Sequence, residues 1–134
     1  QTSLPRQMVT AEAGQIELPR APDGHYYLVA DVNGAMVEFV VDTGATDIVL
    51  SEADARRAGF DPVNLDYIGR AQTANGMVRI APVRIDRFAV GPLEDTGVTA
   101  VVNEGELDGS LLGMSYLQRF DSVEISGGRL VLTR

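Results

Sequence analysis

Asn33-Gly34 stands between two runs rich in β-branched and aromatic residues, His25-Tyr-Tyr-Leu-Val-Ala-Asp-Val32 and Ala35-Met-Val-Glu-Phe-Val-Val41. A tight hairpin turn needs positive φ at both central positions, which Asn and Gly tolerate best. This dipeptide between β-rich runs is therefore the strongest short-range hairpin signal a sequence offers. The same rhythm continues along the chain. Gln15-Ile-Glu-Leu18 alternates and reads as a first strand, broken by Pro19-Arg-Ala-Pro-Asp-Gly24. Gln72 to Val78 reads as a second hairpin turning at Asn75-Gly76 and returning through Val78 to Val83. Arg84–Val90 and Val98–Val102 read as strands separated by Gly91-Pro92, and Val123–Ile125 with Leu130–Leu132 as a closing hairpin around Gly127-Gly128. Two short helices interrupt the strands. One follows Ser51, a good N-cap, and stops at Gly59; the other carries Met114, Leu117 and Phe120 on one face. Residues 1–14 are polar and aperiodic and read as a flexible tether, leaving 15–134 as one mainly β domain.

Composition removes several chemistries. The chain has no Cys, which excludes thiol catalysis, disulfides and Cys-ligated zinc. All 11 cationic side chains are Arg, so no Lys can form a Schiff base or a Walker-type phosphate contact. A single His, His25, leaves little for a His-rich metal site and reads as a strand-entry residue. A hydrolase built on this chain must work with its 19 carboxylates. The net charge of −8 opposes nucleic-acid binding, and the only adjacent cations, Arg56-Arg57, read as a solvated helix face. No apolar run approaches the roughly 18 residues that span a bilayer.

The most specific chemistry lies at residues 39–46. An apolar strand, Phe39-Val-Val41, ends in Asp42, followed by Thr43-Gly44-Ala45-Thr46. Leu111-Leu112-Gly113 and a short helix come about 65 residues later, and a hairpin over Thr73-Ala74-Asn75-Gly76-Met77 falls between them. With Gly24-His25-Tyr26, Asn33-Gly34 and Leu111-Leu-Gly-Met114 in order over residues 25–134, the chain resembles the retropepsin-like (retroviral-type) aspartic peptidases. Within them it is similar to bacterial single-domain, membrane-associated relatives.

The resemblance implies a single-lobe acid-protease barrel with one or two short helices, functional as a symmetric homodimer. Asp42 is then the one catalytic residue of each chain, with Thr43, Gly44, Ala45 and Thr46 as its supporting loop. Thr43 would bond backbone across the dimer, and Gly44 would face substrate backbone. Thr73, Ala74, Asn75, Gly76 and Met77 would form a flap over an extended polypeptide substrate, with no metal or organic cofactor. The resemblance also implies a setting on the periplasmic side of a bacterial inner membrane, tethered by an N-terminal segment ahead of Gln1. Two departures from the viral pattern matter. Thr46-Asp47 stands where viral enzymes carry Asp immediately after the Ala, and the flap is poorer in Gly, so cleavage preference does not carry over.

Other readings compete. Asp95-Thr96-Gly97 is a second Asp-Thr-Gly, but Pro92-Leu93-Glu94 precedes it instead of an apolar strand, no Ala-Thr follows, and only one Leu-Leu-Gly exists. Asp95 is therefore expected in a turn. Glu104, Glu106 and Asp108 read as a solvated acidic loop, and Met77 and Met114 as flap and core contacts. The alternative for the whole chain is a catalytically silent dimerisation or peptide-binding module of the same fold.

Overall fold

The Asn33-Gly34 turn forms as its chemistry requires, with φ of 52° and 95°. It joins β3 (Tyr27–Val32) to β4 (Ala35–Val41), with Val32 opposite Ala35 and Tyr27 opposite Val40. The structure, a computed structural model, describes residues 7–10, 14–73, 76–105 and 107–134. Ahead of the hairpin lie β1 (Met8–Thr10) and β2 (Gln15–Pro19). After it come β5 (Ile48–Leu50), α1 (Glu52–Arg57), β6 (Gly69–Thr73), β7 (Gly76–Val90), β8 (Leu93–Asn103) and β9 (Ser110–Leu112). A short helix α2 (Met114–Leu117) leads to β10 (Ser122–Ser126) and β11 (Arg129–Thr133).

Seven strands form one sheet in the order β3-β4-β9-β5-β8-β7-β6, and β3 also pairs with β7 through Asp31–Ala89 and Val32–Phe88. That second pairing curls the sheet into a barrel and removes most of its free edge. The remaining strands form a four-stranded sheet, β1-β2-β11-β10. The mainly β barrel with two short helices is the fold expected from the sequence. Alternation places Leu28, Ala30 and Val32 of β3 and Val37 and Phe39 of β4 in the core, all fully buried. Phe39, Phe88, Tyr116 and Phe120 form an aromatic row with successive ring centroids 5.6, 4.8 and 5.3 Å apart, which pins α2 to the barrel.

Three local expectations are corrected. Val78–Val83 and Arg84–Val90 are one continuous 15-residue strand, β7. Asp95-Thr96-Gly97 lies inside β8 and not in a turn, with Thr96 opposite Arg87 and Asp95 opposite Phe88. A ladder of ten β7–β8 pairs outweighs the local turn preference of those three residues. Met8–Thr10, within the stretch read as aperiodic, forms an edge strand against Gln15–Glu17. His25 precedes its strand: its backbone N–H donates to the Asp23 carboxylate at 2.9 Å, and its ring stands edge-on to Tyr27.

Candidate active site

β4 ends at Val41, so Asp42 is the first residue to leave the sheet. Its backbone N–H donates to the carbonyl of Leu112 on β9 at 3.0 Å. The chain turns at once: the Ala45 N–H returns to the Asp42 carbonyl at 3.1 Å, and the Gly44 N–H donates to Asp42 Oδ1 at 2.9 Å. A β-carbon on Gly44 would stand 3.3 Å from that oxygen, so glycine there lets the loop close on its own carboxylate. Asp42 is half-buried, whereas Thr43, Gly44 and Thr46 are exposed.

The loop is held from beneath by the Leu111-Leu112-Gly113 segment. β9 runs parallel to β4, with Val40 opposite Leu111 and Val41 opposite Leu112, and antiparallel to β5, with Ile48 opposite Leu112. The strands before and after the Asp42 loop therefore flank β9 on both sides. Gly113 passes directly under the loop. A β-carbon there would lie 2.4 Å from the Asp47 carbonyl oxygen and 2.7 Å from that of Ala45. No residue larger than glycine fits without moving backbone. From this crossing α2 starts: the N–H groups of Met114 and Ser115 donate to the carbonyls of Ala45 and Thr46 at 2.9 and 2.8 Å. The apolar-apolar-Gly pattern is thus a steric requirement of the loop that carries Asp42.

Buried polar contacts brace the same strands. Ser110 on β9 is fully buried; its hydroxyl accepts from the Ser51 N–H at 3.1 Å and donates to Asp54 at 2.6 Å. Ser51 in turn caps α1 by accepting from the Asp54 N–H. Burial, and then the nearby Asp54 carboxylate, raise the pKa of Glu38 on β4 above the usual carboxylate value.

Asp42 opens onto a cleft of about 490 Å³. Gly44, Ala45, Thr46 and Asp47 of the loop line it, together with Ala71, Gln72 and Thr73 of β6, Val101 and Asn103 of β8, Leu107, and Leu111 of β9. Its described lining includes two carboxylates and no cation. Of the expected flap residues, Thr73 lines this cleft, and its hydroxyl donates to the Gly76 carbonyl at 2.8 Å. Gly76 has φ of 109° and begins β7 directly opposite Thr73. Met77, on the returning strand, is exposed and does not line the cleft; Ala74 and Asn75 lie outside the described residues. Asp95 does not line it either. Arg119 and Arg134 take up its carboxylate, which makes the second Asp-Thr-Gly a structural ion-pair centre. In the acidic loop, Glu104 is bound by Arg79 at 2.6 Å, and Glu106 lies outside the described residues. Among the described residues, no three His, Asp or Glu side chains gather as a metal site, and no helix is long and apolar enough to cross a membrane.

Comparison with known proteins decides the family. The profile of the gag-polyprotein aspartyl proteases matches residues 28–119. The crystal structure of a retropepsin-like aspartic protease from Rickettsia conorii is 42% identical and superposes with a TM-score of 0.82, covering 89% of this chain and 98% of that one. The chain belongs to the retropepsin-like aspartic proteases.

The fold extends to more distant members. EIAV protease in complex with the inhibitor HBY-793 shares it at 16% identity and a TM-score of 0.61, over 73% of this chain and 89% of that one. The retroviral protease-like domain of Ddi1 from Leishmania major does so at 20% identity and 0.57, over 75% and 79%. In sequence, the chain is 40% identical over 129 residues to protein RP867 of Rickettsia prowazekii, covering 96% of this chain and 55% of that protein. It is 38% identical over 128 residues to a Sinorhizobium protein encoded in the cobV 5′ region, covering 93% and 55%. The chain spans about half the length of these two relatives. Sequence reasoning missed Asp47, Ala71, Gln72, Val101 and Asn103 as cleft residues of this retropepsin-like fold. Strand alternation marks Ala71 with Thr73, and Val101 with Asn103, as same-face pairs, but only barrel closure brings them to Asp42.

Proposed function

We propose that the chain is an aspartic endopeptidase that hydrolyses peptide bonds of protein substrates as a symmetric homodimer. The observation that carries this reading is the Asp42 carboxylate, tethered by the Gly44 N–H and facing a cleft with a β-hairpin arm along one side. Amide hydrolysis needs one group to deprotonate water and another to protonate or polarise the carbonyl oxygen. Two carboxyls a few ångström apart repel, share one proton and divide these tasks, the established pattern of aspartic proteases. One chain supplies a single such loop, so the second carboxyl comes from an identical chain across a two-fold axis.

In this mechanism the ionised Asp42 takes a proton from the water held between the pair, and the oxygen attacks the scissile carbonyl carbon. The protonated Asp42 of the other chain donates to the carbonyl oxygen. Thr43, exposed in the single chain, reaches backbone across the dimer, and Gly44 faces the substrate main chain. The β6–β7 hairpin closes over an extended substrate and excludes water. The chemistry requires no metal or organic cofactor.

The test is cleavage of an unfolded protein substrate between pH 3 and 7, with and without pepstatin, by the wild type and Asp42→Asn. Pepstatin-sensitive cleavage lost in Asp42→Asn, with the dimer retained, supports the reading. A wild type that cuts nothing at any pH overturns it in favour of a silent binding module. Resemblance to membrane-associated bacterial relatives supports a further proposal, that a preceding segment holds the domain on the periplasmic side of an inner membrane. Fractionation of cells carrying the full-length gene product tests that setting.

A further inference from the structure

Between α1 and β6 the chain runs through an ordered loop that displays apolar side chains. Pro62–Asn64 form a single helical turn, and the Asn64 N–H donates to the Asp61 carbonyl at 3.0 Å. The Ile68 N–H donates to the Asp66 carbonyl at 2.9 Å, and the Tyr67 hydroxyl donates to the Pro62 carbonyl at 2.8 Å. The loop is thus fixed by its own hydrogen bonds. Yet Val63 is 82% and Ile68 80% exposed, more than any other large hydrophobic among the described residues. Both line one groove of about 460 Å³, together with the half-buried Leu65 and Tyr67. That volume lies within the range of about 300–1,000 Å³ typical of ligand sites. Apolar side chains held out to water around one groove mark a contact surface.

The charge of the groove selects what can occupy it. Glu52, Asp66 and Glu104 line it against one described cation, Arg79. Arg79 is already engaged: its guanidinium donates to both Glu104 oxygens at 2.9 and 2.6 Å and stands 5.8 Å from the Tyr67 ring centre. Glu52 and Asp66 form no ion pair among the described residues. Burial, and then the Glu52 and Glu104 carboxylates, raise the pKa of Tyr67, with Arg79 offsetting part of their effect. The groove also adjoins the Asp42 cleft. Arg79 lines the groove, and the next residue of β7, Ile80, lines the cleft. Glu52 and Glu104 further line a hollow of about 320 Å³ that shares Leu107 with the cleft.

Resting on the peptidase reading above, we infer that this groove is an exosite for a segment of the polypeptide substrate outside the scissile bond, one whose aliphatic side chains are flanked by Lys or Arg. The aliphatic side chains cover Val63 and Ile68, and the cations pair with Glu52 and Asp66. A substrate that spans the hollow is held at two places, which raises the effective concentration of its scissile bond at Asp42. The loop is already formed, so little ordering opposes binding. An acidic segment is repelled by the same carboxylates.

The probe is an Arg-Leu-Arg-Ile-Arg peptide bearing a photoreactive benzophenone, mixed with Asp42→Asn protein so that it stays whole. It is expected to bind saturably and to cross-link within residues 62–68, read by mass spectrometry. A Glu-Leu-Glu-Ile-Glu peptide is expected not to bind. V63S/I68S, which changes only exposed side chains, is expected to weaken binding roughly ten-fold. Asp66→Lys is expected to weaken it several-fold. In cleavage assays of protein with Asp42 intact, V63S/I68S is expected to raise KM about ten-fold for a substrate carrying the basic-aliphatic segment, with kcat unchanged. Cleavage of a short peptide lacking that segment is expected to stay the same.

Cross-links confined to residues 42–47 or 71–73 put the peptide in the cleft and overturn the exosite. Equal binding of the acidic peptide overturns it too, as does binding unchanged in V63S/I68S. If V63S/I68S weakens self-association in sedimentation equilibrium, the groove is a contact between copies and the inference falls. A wild type that cleaves while the probe stays unbound removes the exosite and leaves paired Asp42 catalysis standing. Cross-linking within residues 62–68 of a protein whose wild type cleaves nothing at any pH supports the groove as a site for basic-aliphatic peptides and removes the peptidase reading instead.

Discussion

Replacing Gly113 with Ala tests the claim that one missing side chain fixes the Asp42 loop. The added methyl would sit 2.4 Å from the Asp47 oxygen, 2.7 Å from the Ala45 oxygen and 2.8 Å from the Thr46 carbonyl carbon. All three are backbone atoms, so no rotamer change relieves the contact and the loop itself must lift. Overpacking of this kind costs about 1–3 kcal/mol. Lifting the loop also stretches the Met114 and Ser115 hydrogen bonds to it, each worth about 1 kcal/mol. The expected destabilisation is roughly 3 kcal/mol, with cleavage lost because Asp42 moves with the loop. Urea unfolding followed by circular dichroism reads it as a midpoint lowered by at least about 1 M, at one fixed protein concentration because the midpoint of the proposed dimer would depend on it. Gly109 is the control: nothing lies within 4 Å of its would-be β-carbon, so Gly109→Ala should stay within about 0.5 kcal/mol of wild type. Equal midpoints for Gly113→Ala and Gly109→Ala would refute the steric argument.

The remaining expectations concern the scaffold. Ser110→Ala removes a fully buried hydroxyl that serves both the Ser51 N–H and Asp54, and should cost about 1–3 kcal/mol, with faster hydrogen exchange in α1. Asp95→Asn breaks the ion pairs to Arg134 and Arg119, so it should lower the melting temperature while the proposed peptide cleavage, measured as kcat/KM on folded protein, stays unchanged, the reverse of Asp42→Asn. Burial raises the pKa of Tyr116 above 10.0. A raised folded-state pKa adds stability that is present below the unfolded value and lost as pH climbs above it. Stability should therefore fall beyond pH 10, with Tyr116 contributing up to about 1.4 kcal/mol per pH unit, and Tyr116→Phe should flatten that slope in alkaline unfolding curves.

Legibility in the sequence followed the range of the interactions. The Asn33-Gly34 turn, the Ser51 cap and the Asp42 loop are written in neighbouring residues, and each forms as its local chemistry dictates. The Leu-Leu-Gly segment was legible as a pattern, but its reason, a glycine passing under a loop some 70 positions earlier, required the fold. Asp95-Thr96-Gly97 looked like a turn because turn propensity is local, while the strand partners that overrule it, Arg87 and Phe88, are not. Met8–Thr10 escaped notice because three residues carry too little periodicity to register, and only Gln15–Glu17 give them a place. The cleft walls from β6 and β8 were illegible for the same reason, since their proximity to Asp42 is a product of barrel closure.

The insertion of β9 between β4 and β5 has a consequence during synthesis. The two strands that bracket the acidic loop cannot take their final spacing until a segment made some 60 residues later slides between them. Such a distant closure comes late in folding. A nascent chain on the ribosome therefore carries its carboxylate on an unformed scaffold. The acidic loop therefore takes its final form only after β9 has emerged, long after its own residues were made.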